Sequence, residues 1–157
     1  MKKILFVCLG NICRSPMAKF IFIDLLKQNR LENKFIVDSA ATSASEVGNE
    51  LYYKAKQKLE EKGIECIGHI ARQLKKEDYE NYDYIIAMED KNIYNILNII
   101  GKDSKNKVAK LLDCSERQSN IADPWYTGDF EKAYNDIYVG CVDFLKYLME
   151  NVFKDCL

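Results

Sequence analysis

The chain is short of the residues from which many active sites are made. Among 157 residues there is one histidine, His69, and one tryptophan, Trp125. The six cysteines are scattered as Cys8, Cys13, Cys66, Cys114, Cys141 and Cys156, with no Cys-x-x-Cys pair. A zinc site needs clustered Cys and His ligands, so this spacing argues against one. Neither a metal nor a cofactor is expected. A disulfide framework is not needed either, because a chain this long with 48% hydrophobic residues can build a core. Net charge is only −1. No bulk field recruits nucleic acid or a membrane surface, so an anionic ligand must be held by local charge. No apolar run reaches the length of a membrane span. Met1-Lys2-Lys3 and the apolar run after it imitate a short signal peptide. Asn11 and Arg14 cut that run off, and it serves better as a strand, so a cytoplasmic location is expected. Repeats, linkers and low-complexity tracts are missing, and residues 1–157 read as one domain.

Apolar spacing then suggests the elements. Lys3 to Cys8 reads as a buried strand, Phe35-Ile36-Val37 as a short one, Tyr84 to Ala87 as a third and Val108 to Leu112 as a fourth. Residues 16–29 carry Ala18, Ile21, Phe22, Leu25 and Leu26 at helical spacing. Residues 49–62 read as a polar helix ending at Gly63, and Asp90 as the cap of a helix stopped by Gly101. A last helix over 130–152 presents a long apolar stripe that includes Cys141, which is expected in the core. Strands alternating with helices predict an α/β fold, an open parallel four-stranded sheet with helices on both faces. Sites in such folds gather beyond the strand C-termini, where Cys8 and Asp123 would meet.

Cys8-Leu9-Gly10-Asn11-Ile12-Cys13-Arg14-Ser15 lies between the first strand and a helix start at Ser15-Pro16. Ser is a good N-cap and Pro is favoured at the first helical position. The helix N-terminus and Arg14 together favour thiolate at Cys8. The loop from Leu9 to Cys13 can turn successive N–H groups onto one anion, and Gly10 supplies a conformation closed to other residues. Arg14 offers a planar fork for two phosphate oxygens, and the Ser15 hydroxyl a hydrogen bond to sulfur. The layout suits covalent capture of a phosphoryl group. Far along the chain, Asp123-Pro124-Trp125-Tyr126 holds a carboxyl in extended backbone beside two aromatic rings. That arrangement suits protonation of a phenolate leaving group.

The sequence resembles the low-molecular-weight protein tyrosine phosphatases over nearly its whole length. The resemblance rests on Val7 to Pro16, Asp38 to Ser43, His69 to Gln73, Asp83 to Ile86 with Met88, and Asp123 to Tyr126. It implies the flavodoxin-like fold of that family, with Cys8 as nucleophile, Arg14 as phosphate binder and Asp123 as general acid and base. Asn11, Ser15, Ser39 and His69 look like the polar network that shapes the loop. The resemblance also implies that a sulfenic acid on Cys8 is trapped by Cys13 as a recoverable disulfide. Expected partners are phosphotyrosine-containing proteins or small aryl phosphates, with inorganic phosphate as product and inhibitor and the protein a monomer. Tyr126, Tyr52 and Tyr53 offer hydroxyls for phosphorylation.

Cleft residues sharpen the expectation. Leu9, Ile12, Trp125 and Tyr126 can sandwich a phenyl ring. A related branch acting on phosphoarginine typically has a small Thr where Ile12 stands, which ranks phosphotyrosine first. Ser45, next to Glu46, occupies a position where the family often has an entrance aromatic, and Trp125 stands where Tyr is usual. Thiol-dependent arsenate reductase shares the loop but needs two more redox cysteines, and residues 81–100 hold none. A phosphocysteine carrier has no use for Asp123, and a phosphotyrosine-binding module none for Cys8.

Overall fold

A computed structural model describes residues 1–153. Its strands are β1 (Lys2–Cys8), β2 (Phe35–Ala41), β3 (Tyr84–Ala87) and β4 (Val108–Lys110). They form one parallel sheet in the order β2-β1-β3-β4. The helices are α1 (Arg14–Gln28), α2 (Tyr53–Glu61), α3 (Asp78–Asn81), α4 (Asp90–Ile100), α5 (Pro124–Thr127) and α6 (Phe130–Asn151). Helices cover both faces, as the alternation predicts. Residues alternate along β1 between the two cores. Ile4, Phe6 and Cys8 face a core shared with α1, α2 and α6, whereas Leu5 and Val7 face one shared with α3 and α4. In the larger core Phe6 meets Phe22 edge-on at 5.7 Å, and Phe144 sits 5.8 Å from Phe22. Cys141 is fully buried there.

This order reverses direction at β1, so the crevice beyond the C-terminal ends of β1 and β3 is the topological switch point. Cys8 is the last residue of β1. The geometry therefore puts the thiol in the place where open α/β sheets bind ligands.

Several boundaries differ from the sequence reading. Helix α1 begins at Arg14, with Cys13 at the cap position and no side-chain cap. Ser15 is not the cap, because its hydroxyl is engaged with Cys8 and Asn11 instead. Strand β2 runs four residues past Val37, since Asp38–Ala41 pair with Leu5–Cys8 despite low strand propensity. Residues 49–52 are not helical; Glu50 bridges Ile70 and the Tyr52 N–H donates to the Ile12 carbonyl. At α4 the cap is Glu89, whose N–H donates to Asn92 Oδ1, and Asp90 is the first helical residue. Strand β4 stops at Lys110, and Leu111–Cys114 is a 3₁₀ turn. Helix α6 ends at Asn151. Cys156 lies outside the described residues.

Gly140 in α6 permits close approach of that 3₁₀ turn. A Cβ there would lie 2.6 Å from Leu111 Cγ and 3.0 Å from its Cδ2. Leu111 is buried and cannot swing aside. Alanine gains about 1 kcal/mol of helix propensity, but overpacking costs about 1–3 kcal/mol. Gly140→Ala is therefore expected to lower stability by about 1–2 kcal/mol in urea unfolding, against the sign of its propensity.

Candidate active site

The loop after β1 is built around Asn11. Asn11 is completely buried and holds φ of 60°, a left-handed conformation. The sequence reading gave that role to Gly10, which is not in that region; the correction has a clear cause. Asn tolerates left-handed backbone when its short amide is bonded locally. Asn11 makes five hydrogen bonds. Its Nδ2 donates to Ser15 Oγ at 2.8 Å and to Ser39 Oγ at 2.9 Å. Its Oδ1 accepts from the Arg72 N–H at 3.1 Å, and its carbonyl accepts from His69 Nε2 at 2.7 Å. Its own N–H points at Cys8 Sγ at 3.4 Å. Gly10 serves a different purpose: a Cβ there would sit 3.3 Å from Glu46 Cγ, so glycine lets the Glu46 stem close against the loop.

His69 must carry its proton on Nε2, since a carbonyl only accepts. Burial holds its pKa below the ordinary histidine value, with the bond to Asn11 opposing that shift. The ring is thus neutral at physiological pH.

Donors converge on the Cys8 sulfur. The Ser15 hydroxyl lies 3.0 Å away, and the N–H groups of Asn11 and Ser15 donate at 3.4 Å. Among the described residues, the N–H groups of Gly10, Ile12 and Cys13 meet no protein acceptor, which leaves them free for an anion in front of the sulfur. Cys13 is buried in the same wall. Burial pushes its thiol pKa far up, and charge at Cys8 and Asp123 adds to that, so Cys13 stays protonated.

Arg14 is 2% exposed. Its Nη1 donates to Glu89 and to the Ile121 carbonyl at 2.8 Å, and its Nη2 to Asp123 Oδ2 at 3.3 Å. A buried guanidinium needs such partners, because an unpaired buried charge is very costly. Asp123 has φ of −78° and ψ of 113°, caps α5 through the Trp125 N–H at 3.0 Å, and is followed by Pro124. The Asp-Pro reading placed it in extended backbone, where it is.

These groups line one cleft: Cys8, Leu9, Gly10, Ile12, Cys13, Arg14, Ser45, Glu46, Asp123, Trp125 and Tyr126. Asn11, Ser15, Ser39 and His69 stand behind it. Three contributors escaped the sequence reading as site residues: Glu89, the Ile121 carbonyl and Arg72. Glu89 follows the end of β3 by two residues, and every strand C-terminus of this sheet feeds the same crevice. That rule, applied to Met88-Glu89, would have found it. Arg72 is anchored by Asp78 at 3.0 Å, which steadies the N–H that Asn11 needs.

Asn11→Ala removes the three side-chain bonds, to Ser15, Ser39 and the Arg72 N–H, and keeps the left-handed backbone. It is expected to cost about 2–4 kcal/mol, measured by denaturant unfolding. The pH dependence of stability carries a His69 component with a definite sign. The unfolded histidine, at its ordinary pKa of 6.5, binds protons more readily than the folded one, so this stability is present above that value and lost as pH falls below it. Tm measured across that range should fall less steeply on acidification in His69→Gln than in the native protein.

The family model described as low molecular weight phosphotyrosine protein phosphatase matches residues 3–154. The low molecular weight protein-tyrosine-phosphatase YfkJ of Bacillus subtilis is 40% identical over 147 residues, covering 92% of this chain and 94% of YfkJ. Its crystal structure superposes with a TM-score of 0.94 at 38% identity, covering 97% of each chain. The human low molecular weight phosphotyrosine protein phosphatase is 40% identical over 151 residues, 92% of this chain and 94% of its own. A structure titled as a Drosophila arginine phosphatase is also similar, with a TM-score of 0.82 at 31% identity, covering 94% of this chain and 97% of that one. By sequence and by fold, the chain belongs to the low molecular weight phosphotyrosine protein phosphatase family.

Proposed function

We propose that the protein hydrolyses phosphotyrosine and small aryl phosphates through a cysteinyl-phosphate intermediate. One observation carries the reading: a sulfur, a set of inward N–H donors, a buried guanidinium and a carboxyl on a separate element all line one cleft. Cys8 attacks phosphorus as the thiolate while loop N–H groups and Arg14 hold the non-bridging oxygens. The S–P bond forms and the P–O bond to the phenol breaks. Asp123 gives its proton to the departing oxygen. It then takes a proton from a water that attacks phosphorus, releasing inorganic phosphate and the thiolate. Preorganised donors supply most of the stabilisation, since phosphoryl transfer leaves little covalent work to the protein. Phosphate, the product, competes for the same donors and inhibits.

Glu89 binds Arg14 from behind the cleft and leaves Nη2 on the Asp123 side. An arriving phosphoryl dianion competes with Asp123 for that nitrogen. Releasing Asp123 from Arg14 frees it to turn toward the leaving oxygen.

Ile12 in the cleft wall supports phosphotyrosine over phosphoarginine, because an aliphatic side chain contacts a flat ring better than a guanidinium. A peroxide that oxidises the Cys8 thiolate leaves a sulfenic acid and hydroxide; Cys13 sulfur then attacks Cys8 sulfur, its thiol proton leaves with the sulfenic oxygen as water, and a disulfide forms. Among the described residues Cys8, Cys13, Cys66, Cys114 and Cys141 are free, which suits a reducing cytoplasm.

Metal-free turnover of para-nitrophenyl phosphate and a phosphotyrosyl peptide tests the reading. Cys8→Ser is expected to lose at least about 10⁴-fold in kcat while still binding phosphate. Asp123→Asn should lose about 10²–10⁴-fold, most with poor leaving groups. Native-like activity in Cys8→Ser, or a kcat/KM that favours phosphoarginine over phosphotyrosine, overturns it.

A further inference from the structure

The two walls of the cleft are unequal. One is low and polar, made by Ser45 and Glu46. The other is aromatic and does not stop at the cleft mouth. Trp125 rests edge-on against Tyr52 with centroids 4.9 Å apart, and Tyr52 meets Tyr53 at another 4.9 Å. Tyr52 is fixed twice. Its ring stacks on buried Phe130 at 5.9 Å, and its N–H donates to the carbonyl of Ile12 in the phosphate loop. The outer rings remain open: Trp125 is 51% exposed and Tyr53 57%.

An exposed aromatic row is costly to leave in water and is a usual mark of a recognition surface. Two-torsion rings that are already held in place lose little entropy when something packs on them. The row is continuous with the cleft and tied to its floor, which indicates what lies on it. An extended peptide advances about 3.3–3.6 Å per residue. With a phosphotyrosyl ring in the cleft, side chains two or three residues away reach Tyr52 and Tyr53.

We infer that Trp125, Tyr52 and Tyr53 form a docking shelf for an apolar side chain two or three residues from the phosphotyrosine of a protein substrate. This deepens the phosphotyrosine reading and rests on it. Glu46 and Asp123, which line the same cleft, disfavour acidic residues at the same distance. The shelf also answers the missing entrance aromatic at Ser45: the flat contact surface lies on the other wall.

The test is a panel of phosphotyrosyl peptides with Leu, Phe, Ala, Lys or Glu placed two and three residues on either side. Each is assayed with the native protein, Tyr53→Ala and Tyr53→Phe, with para-nitrophenyl phosphate, which fills the cleft without extending to Tyr53, as the reference. Leu or Phe in at least one position should raise kcat/KM about tenfold over Ala in the native protein. The gain should fall to within about twofold in Tyr53→Ala and survive in Tyr53→Phe. Equal rates for Leu, Phe and Ala peptides, or a preference untouched by Tyr53→Ala, overturns the shelf while leaving the phosphatase. A preference for Lys makes the rings a cation platform and overturns the apolar occupant. Loss of the preference as the protein is concentrated, with dimers seen by sedimentation, assigns the shelf to a second copy and overturns it too. If neither the reference nor any peptide is hydrolysed, the phosphatase reading itself fails.

Discussion

The site depends on one residue held in an unfavourable backbone conformation. Asn11 sits at φ of 60°, where a non-glycine residue costs roughly 1 kcal/mol or more. Five hydrogen bonds offset this, each worth about 1 kcal/mol in an interior that excludes water. The bonds win, and they do more than balance the strain. Two are local, to Cys8 and Ser15, and three reach segments distant in sequence: Ser39 on β2, and His69 and Arg72 on the strap that follows α2. The curl that aims N–H groups at sulfur therefore exists only once the whole sheet edge is assembled. A local loop motif has become a tertiary one.

Charge follows the same logic at Arg14. A guanidinium almost without solvent contact must be matched, and Glu89, Asp123 and the Ile121 carbonyl match it. Glu89 follows β3, while Ile121 and Asp123 come from the long connection after β4. The three strand ends of the crevice thus each contribute: sulfur from β1, a rear carboxylate after β3, a front carboxylate after β4. The rear one fixes the fork. The front one is the weaker partner at 3.3 Å, and it is the one an anion in the cleft would displace.

How far the sequence was legible follows from which links are local. The strands and the helical stripes are written in apolar spacing, so the parallel sheet and its two cores could be read directly. Cys8, Arg14 and Asp123 could be brought to one edge because strand ends gather there. What escaped depended on competition between partners. Ser15 looks like an N-cap, but Cys8 and Asn11 are nearer claims on its hydroxyl. Gly10 looks like the left-handed residue, but Asn11 has the bonds that make that conformation favourable. Asp38–Ala41 carry weak strand propensity, yet the ladder to β1 extends through them. Glu89 escaped because its neighbour Asp90 reads as the helix cap and nothing local shows the buried guanidinium beside it.

The cleft also divides its labour between a rigid half and a loose half. The anion cradle rests on β1 and α1, and the side chains that brace it, Asn11, Ser15 and Ser39, are buried and hydrogen-bonded to one another. Asp123 rests on a four-residue helix bounded by Pro124 and by Gly128, which takes the left-handed φ of 74°. Of that helix only Pro124 is buried, and Trp125 and Tyr126 stand in solvent. Segments with few buried contacts open at low free-energy cost, whereas core elements move only with global unfolding. In the proposed mechanism, the carboxyl that lets go of Arg14 is thus mounted on the weaker element, and the donors that hold still are mounted on the stronger one. Trp125 limits that looseness, because its contact with Tyr52 ties the short helix back to the phosphate loop through Ile12. A side chain packed on the aromatic row would tighten the same tie, so peptide docking and the placement of the carboxyl are mechanically linked.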